Sequence, residues 1–259
     1  MPSSSDRLTG RIALVTGAGS GIGAAIATRL ADEGASVIFS DRNIVAARNS
    51  AAKVDGTSLE LDVTSPESWQ SAVQFVEAHL GGLHILVHNA GICEQGTIDE
   101  IDYDDWRRNH EVNLDAVFLG CKAALPLMQR SVRESGLRGS IVTVASVSAL
   151  VANGNFASYN SSKAAVRHFT RSMALHCARN AMNITANCIL PAFIDTPLVD
   201  GLRPGADREE TLAKLARQIP LGRVGQVQDV AGAAAFLCSD DAAFMTGADL
   251  LLDGGLSAQ

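Results

Sequence analysis

The sequence predicts an α/β fold: a doubly wound, parallel, seven-stranded sheet with helices on both faces, in a single domain. Three observations predict it. Short apolar runs alternate with longer amphipathic ones from end to end, the pattern of strand, helix, strand that a parallel sheet requires. Several short runs are apolar at consecutive positions, as in strands covered on both faces. The length, 259 residues, suits one large domain, and no linker, low-complexity block or repeat interrupts it.

The first strand, 11–15, runs into Thr16-Gly17-Ala18-Gly19-Ser20-Gly21-Ile22-Gly23, and a helix follows over 22–33. The second strand, 36–40, ends at Asp41, before a helix over 44–53. The third, 58–61, leads to Asp62-Val63. Thr64-Ser65-Pro66 then reads as a capped start, with proline in the first turn, for a helix over 66–80. The fourth strand, 84–88, ends in His88-Asn89-Ala90-Gly91, and one long helix is expected over 103–133. The fifth, 140–145, reaches Ser146, with a helix over 157–179. A sixth strand, 183–190, precedes helices at 208–218 and 227–239, and 248–252 is the last strand. Residues 1–7 read as a flexible tail and 8–259 as the domain.

Ligands of such sheets sit beyond the C-terminal strand ends, so the residues after each strand are the candidates. The glycine-rich turn, with Gly17, Ser20, Gly21, Ile22 and Gly23, would let the backbone approach a pyrophosphate at a helix N-terminus. Alone it could be an ordinary tight connection. Asp41 stands where a carboxylate grips the adenosine ribose hydroxyls, or it is a helix N-cap. Asp62 and Val63, and the small residues Asn89, Ala90 and Gly91, are further cleft candidates, each readable as plain turns. Ser146 points a hydroxyl towards the same cleft. Tyr159 and Lys163, four apart, share a helix face. Asn113, unfavourable inside an apolar helix, signals a polar task or a helix irregularity.

A net charge of −7 argues against nucleic acid or anionic membrane as partner, and no apolar run has the length of a membrane span. The N-terminus lacks a signal-peptide pattern, which sets the cytoplasm as the expected location. Five cysteines and six histidines show no metal-ligand spacing, so no metal is expected; most cysteines read as buried, with Cys93 the exception.

From about Leu8 to the C-terminus the chain resembles the short-chain dehydrogenase/reductase family. The matching pieces are Thr-Gly-x-x-x-Gly-Ile-Gly at 16–23, Asn-Ala-Gly at 89–91, Asn113, Ser146, Tyr-x-x-x-Lys at 159–163, Pro191 to Pro197, and Asp253-Gly254-Gly255. The family usually has asparagine where this chain has His88 and glycine where it has Ala192; both departures are expected beside the cofactor. The resemblance implies a Rossmann-type oxidoreductase that interconverts a secondary alcohol and a ketone with a nicotinamide cofactor, and Asp41, whose carboxylate would accept from both ribose hydroxyls and face a 2′-phosphate, makes NAD the expected one. It also implies roles. Tyr159 is general acid/base, Lys163 lowers its pKa and holds the nicotinamide ribose, and Ser146 binds the substrate oxygen. Asn113 holds a relay water, and Pro191, Ile194 and Thr196 flank the carboxamide. Bacterial secondary-alcohol and hydroxysteroid dehydrogenases look nearest. A segment around 194–220 is expected to cover the substrate, with Cys93, Glu94, Ser148, Phe156 and Phe193 near the pocket.

Two alternatives stay open: an NADP-dependent 3-oxoacyl-type ketoreductase, and a non-catalytic NAD-binding protein. Arg42 is the one local argument for NADP, since a guanidinium can bind a 2′-phosphate. The helices at 103–133 and 157–179 carry apolar residues on more than one face (Val117, Phe118, Ala165, Phe169, Met173), which predicts a homo-oligomer, a tetramer by the resemblance.

Overall fold

The computed structural model describes residues 6–201 and 205–259. Seven parallel strands lie in the order β3-β2-β1-β4-β5-β6-β7. They are β1 (Ile12–Thr16), β2 (Ser36–Asp41), β3 (Thr57–Glu60), β4 (Ile85–His88), β5 (Gly139–Val144), β6 (Ile184–Pro191) and β7 (Asp249–Leu252). The order reverses at β1, which pairs with β2 on one side and β4 on the other. The crevice at this switch point is where the strand ends open.

Alternation along the strands divides the core in two. Ala13 and Val15 face one helical layer, built on α1 (Gly21–Asp32), α2 (Ile44–Ala51) and α9 (Val227–Cys238). Leu14 faces the other, built on α3 (Pro66–Leu80), α5 (Ala116–Ser135) and α6 (Ala157–Arg179). Ile26, Leu30 and Val230 fill the first layer, and Trp69, Val76, Leu127 and Val166 the second, all almost completely buried. Each such aliphatic side chain stabilises the fold by about 1.5–3 kcal/mol.

The expected cap at 64–66 is made by Ser65, whose Oγ accepts the Ser68 N–H at 3.0 Å, with Pro66 in the first turn. The helix expected over 103–133 is three pieces: α4 (Tyr103–His110), a π-helical segment (Glu111–Asp115) and α5. The irregularity is centred on Asn113, and a π segment is a frequent mark of a functional site. Two further short helices, α7 (Pro197–Asp200) and α8 (Arg208–Ala216), lie between β6 and α9.

The expected tail ends before Arg7, whose guanidinium donates to both oxygens of the buried Glu33 at 2.9 and 2.8 Å and to Asp241 at 3.0 Å. Leu8 is already fully buried. Residues 1–5, and 202–204 of the expected covering segment, lie outside the described residues. Among the described residues no helix is long and apolar enough to cross a membrane. Of the residues expected to face a second copy, Val117 belongs to the core, and Phe118 is exposed with its ring edge-on to Phe169.

Candidate active site

A cleft of about 520 Å³ opens across the strand ends. It is lined by Gly17, Ser20, Gly21, Ile22, Asp41, Asp62, Val63, Asn89, Ala90, Gly91, Tyr159, Lys163 and Thr196, all expected from the sequence. It is also lined by Leu61, Thr64, Ile92, Glu111 and Val112, which were not expected.

At one end the main chain does the shaping. Gly17 and Gly21 have φ of +64° and +54°, and a Cβ on Gly17 would lie 2.9 Å from the Ala90 backbone. Only glycine tolerates both demands. Thr16 Oγ1 accepts the N–H groups of Asn89 and Ala90 at 3.0 and 3.1 Å, and Asn89 Nδ2 donates back to the Thr16 carbonyl at 3.0 Å, which locks the turn to β4. Gly23 does not line the cleft. Its Cα packs against the Gly17 carbonyl, 2.2 Å from where a Cβ would stand, so it allows the helix to approach the turn.

Asp41 is fixed by two backbone donors: Oδ2 accepts from Gly19 N–H at 3.1 Å and Oδ1 from Asn43 N–H at 2.9 Å. The cap of α2 is Asn43, through Ala46 N–H at 3.1 Å. Each Asp41 oxygen keeps a lone pair for a further donor. Arg42 also lines the cleft, exposed. Asp62 accepts both donors of Thr64, at 2.9 and 2.7 Å, so it starts the turn; these bonds, with Arg42 nearby, hold its carboxyl below the usual range.

At the other end side chains converge. Lys163 Nζ is 5.6 Å from the centre of the Tyr159 ring and donates to the Val144 carbonyl at 3.2 Å. Burial brings its pKa down to about 8. Burial also raises the Tyr159 phenol above its ordinary value, as does Cys93, while a hydrogen bond with Ser146 opposes the rise. Ser146 Oγ accepts from Ser148 N–H at 3.1 Å and reaches the Pro191 carbonyl at 3.5 Å. The buried Ser146 hydroxyl and the half-buried Tyr159 phenol form the pair a reacting oxygen would meet.

Asn113 is 1% exposed. Its Oδ1 accepts Ile92 N–H at 2.9 Å, and its Nδ2 donates to the Ile92 carbonyl at 2.9 Å and to Ser162 Oγ at 3.1 Å. Both amide hydrogens are thus engaged in holding the chain after β4, which leaves Oδ1 one lone pair for a relay water. Gly91 fits between Asn113 Oδ1 and Lys163 Nζ, where a Cβ would come within 3.0 and 3.2 Å of them.

The remaining expected residues stand aside from the cleft. Ile194 is 6% exposed, bridges to Gly225 and packs in the core; only its backbone is available. Pro191 contributes its carbonyl to Ser146. Phe193 is half-buried, its carbonyl taken by Gly225 N–H at 2.9 Å. Phe156 sits edge-on to Tyr159, centroids 6.4 Å apart, and pairs with Gly96 across the loops. Cys93 is half-buried with its thiol pushed up to about 12, hence neutral; the other four cysteines are buried.

His88 does not lie beside the cleft. Period-two alternation puts it on the Leu86 face, under α5, with Nε2 3.4 Å from Cys121 Sγ and its ring 5.8 Å from Trp69. Gly120 makes room for it: a Cβ there would be 2.5 Å from the imidazole. Burial lowers its pKa to about 3.

The fit to a dinucleotide rests on the positive-φ glycines, the free lone pairs of Asp41 and the cleft that connects them to Tyr159. A family model described as enoyl-(acyl carrier protein) reductase matches residues 17–257. The NADP-dependent (R)-specific alcohol dehydrogenase of Lentilactobacillus kefiri is 34% identical over 258 residues, covering 98% of this chain and 99% of that protein. The 2,5-dichloro-2,5-cyclohexadiene-1,4-diol dehydrogenase of Sphingobium indicum is 37% identical over 257 residues, covering 97% and 98%. The ligand-free aldohexose dehydrogenase of Thermoplasma acidophilum superposes with a TM-score of 0.88 at 36% identity, covering 97% of this chain and 96% of that one. The chain belongs to the short-chain dehydrogenase/reductase family, and it is an oxidoreductase acting on alcohols and ketones with a nicotinamide cofactor.

Proposed function

We propose that the protein interconverts a secondary alcohol and a ketone with NAD(H), using Tyr159 as general acid/base. The observation that carries this reading is that Lys163 and Tyr159, the latter hydrogen-bonded to the buried Ser146, line one end of a cleft whose other end carries a fixed carboxylate, Asp41.

The bound nicotinamide supplies hydride acceptance in oxidation and hydride donation in reduction. The chain supplies the rest. Ser146 hydrogen-bonds the substrate oxygen and stabilises charge developing there. Tyr159 takes the hydroxyl proton in oxidation and returns it to the carbonyl oxygen in reduction. A phenol is a poor base until a positive group stands beside it; Lys163, as ammonium below about pH 8, is that group within the chain. Ser148, Phe156 and Phe193, with the segment around 194–220, form the substrate side. Pro191, Ile194 and Thr196 serve the carboxamide through their backbone and the Thr196 hydroxyl.

Preference for NAD follows from fixity. Asp41 is held by two N–H groups and cannot swing away from a 2′-phosphate, whereas the exposed Arg42 can leave. At 4 Å and an effective dielectric of 20, each unit of like charge costs about 4 kcal/mol before relaxation. The alternative is an NADP-dependent reductase of acyl-carrier-protein thioesters; the NADP-dependent relative and the name of the family model favour it. The half-exposed Phe118 and partly buried Phe169 and Met173 support a homo-oligomer, a tetramer in this reading.

Steady-state rates on a panel of secondary alcohols and ketones with both cofactors test the proposal. Turnover of simple alcohols with at least about tenfold higher kcat/KM for NAD is expected. Equal or better catalysis with NADP, or turnover of carrier-protein thioesters alone, would refute it.

A further inference from the structure

Asn109 was not among the residues singled out from the sequence, yet it is fully buried, one turn before Asn113 on the same stretch. A buried carboxamide in a helix is costly unless every group is used. Here the uses repeat those of Asn113. Asn113 reads the N–H and C=O of Ile92 and donates to Ser162. Asn109 reads the N–H and C=O of Glu94, both at 3.4 Å, and donates to Ser158 Oγ at 2.7 Å.

The two asparagines therefore form a ladder. On one side they take the place of a neighbouring strand along Ile92–Glu94, since residues two apart in extended chain present their polar groups to the same side. On the other side they grip two serines of α6, four apart and both fully buried. Those serines immediately precede the residues of interest in the chain: Ser158 precedes Tyr159, and Ser162 precedes Lys163. Between the two rungs lies the half-buried Cys93. A third contact, His110 Nε2 to Ser161 Oγ at 3.1 Å, runs alongside.

We propose that Asn109, through Ser158 and Glu94, is a positioning residue for the reaction: it fixes the Tyr159 end of α6 and the Cys93 wall relative to each other, as Asn113 fixes the Lys163 end. This rests on the assignment of Tyr159 as acid/base. It goes beyond that assignment because a purely structural Asn109 would leave the chemistry untouched.

The test replaces both side chains of the rung, Asn109→Leu with Ser158→Ala, so that no hydroxyl is left unpartnered on α6 and only the backbone groups of the half-buried Glu94 lose a partner. Asn109→Ala alone serves as a second variant. Thermal midpoint, NADH affinity by fluorescence, kcat, KM for both substrates and the pH profile of alcohol oxidation are measured, with Tyr159→Phe as control. The double variant is expected to keep the fold and NADH affinity within about twofold. Its kcat should fall roughly tenfold, the scale of a sub-ångström misplacement. The pH of half-maximal oxidation should rise, because Tyr159 no longer sits at its distance from Lys163. A folded double variant with wild-type kcat and pH profile would overturn the inference, and so would an Asn109→Ala variant unchanged in both. If Tyr159→Phe itself stayed active, the assignment beneath it would fail instead, so the two failures are distinguishable.

Discussion

The two ends of the cleft are built from different material. The end near Asp41 is mostly main chain: glycines at positive φ, backbone N–H groups of the β4 turn gathered on the Thr16 hydroxyl, and a carboxylate held by backbone donors. The end near Tyr159 is side chain: a phenol, an ammonium, hydroxyls and two carboxamides brought together from β5, α4, the π segment and α6. The first kind of site binds a ligand shared by many proteins and depends on where backbone can go. The second sets the chemistry and depends on buried polar groups that satisfy one another. Damage to the first should lower affinity and stability; damage to the second should lower kcat.

The largest effect expected is at the side-chain end. Lys163→Met removes the ammonium beside the phenol and should cost roughly 10²-fold or more in kcat with the fold intact. A loss confined to KM would show that Lys163 only binds. At the main-chain end, Gly23→Ala puts a methyl 2.2 Å from the Gly17 carbonyl. It should cost roughly 1–3 kcal/mol and weaken NADH binding about tenfold, measured by urea unfolding and fluorescence titration. Unchanged affinity would mean that the turn does not form the dinucleotide site.

Asp41→Ser, which keeps Arg42, should shift the NAD-to-NADP ratio of kcat/KM by at least about tenfold, or 1.4 kcal/mol. It also frees the Gly19 N–H, so NAD affinity should fall as well. An unchanged ratio would remove Asp41 from cofactor choice.

The last effect lies outside the cleft and touches stability alone. His88 has its pKa lowered to about 3 in the fold against 6.5 unfolded, so between these values the unfolded chain binds the extra proton. Its contribution is complete above 6.5 and is lost as pH falls towards 3. From pH 7 to 5 the wild type should lose roughly 2 kcal/mol more than His88→Asn, read from urea midpoints. Parallel losses would mean that the imidazole is already charged in the fold.

This contrast also decides what was legible in the sequence. The seven strands and the glycine-rich turn were readable because each has a local signature, consecutive apolar positions or glycine where φ must be positive; the parallel arrangement followed from the alternation of strand and helix, and the order of the strands was not read at all. Tyr159 and Lys163 were readable from their four-residue spacing. The break of the long helix at 111–115 was foreshadowed only by Asn113 in apolar company. Asn109 was missed because, among Asp104, Asp105, Arg107 and Arg108, it passes for a residue of a solvated helix face; its burial is decided by α6, some fifty residues away. His88 was misassigned for a related reason. A strand end faces either the cleft or the core, and the family pattern alone does not say which way a substituted side chain turns.

The central claim is that the Tyr159 hydroxyl carries the proton and does nothing else essential. Tyr159→Phe tests it most directly, with turnover and NADH affinity measured on the same sample. The account predicts a kcat lower by roughly 10²–10⁴-fold with the fold and NADH binding nearly unchanged. A variant that keeps more than about a tenth of wild-type turnover would contradict it.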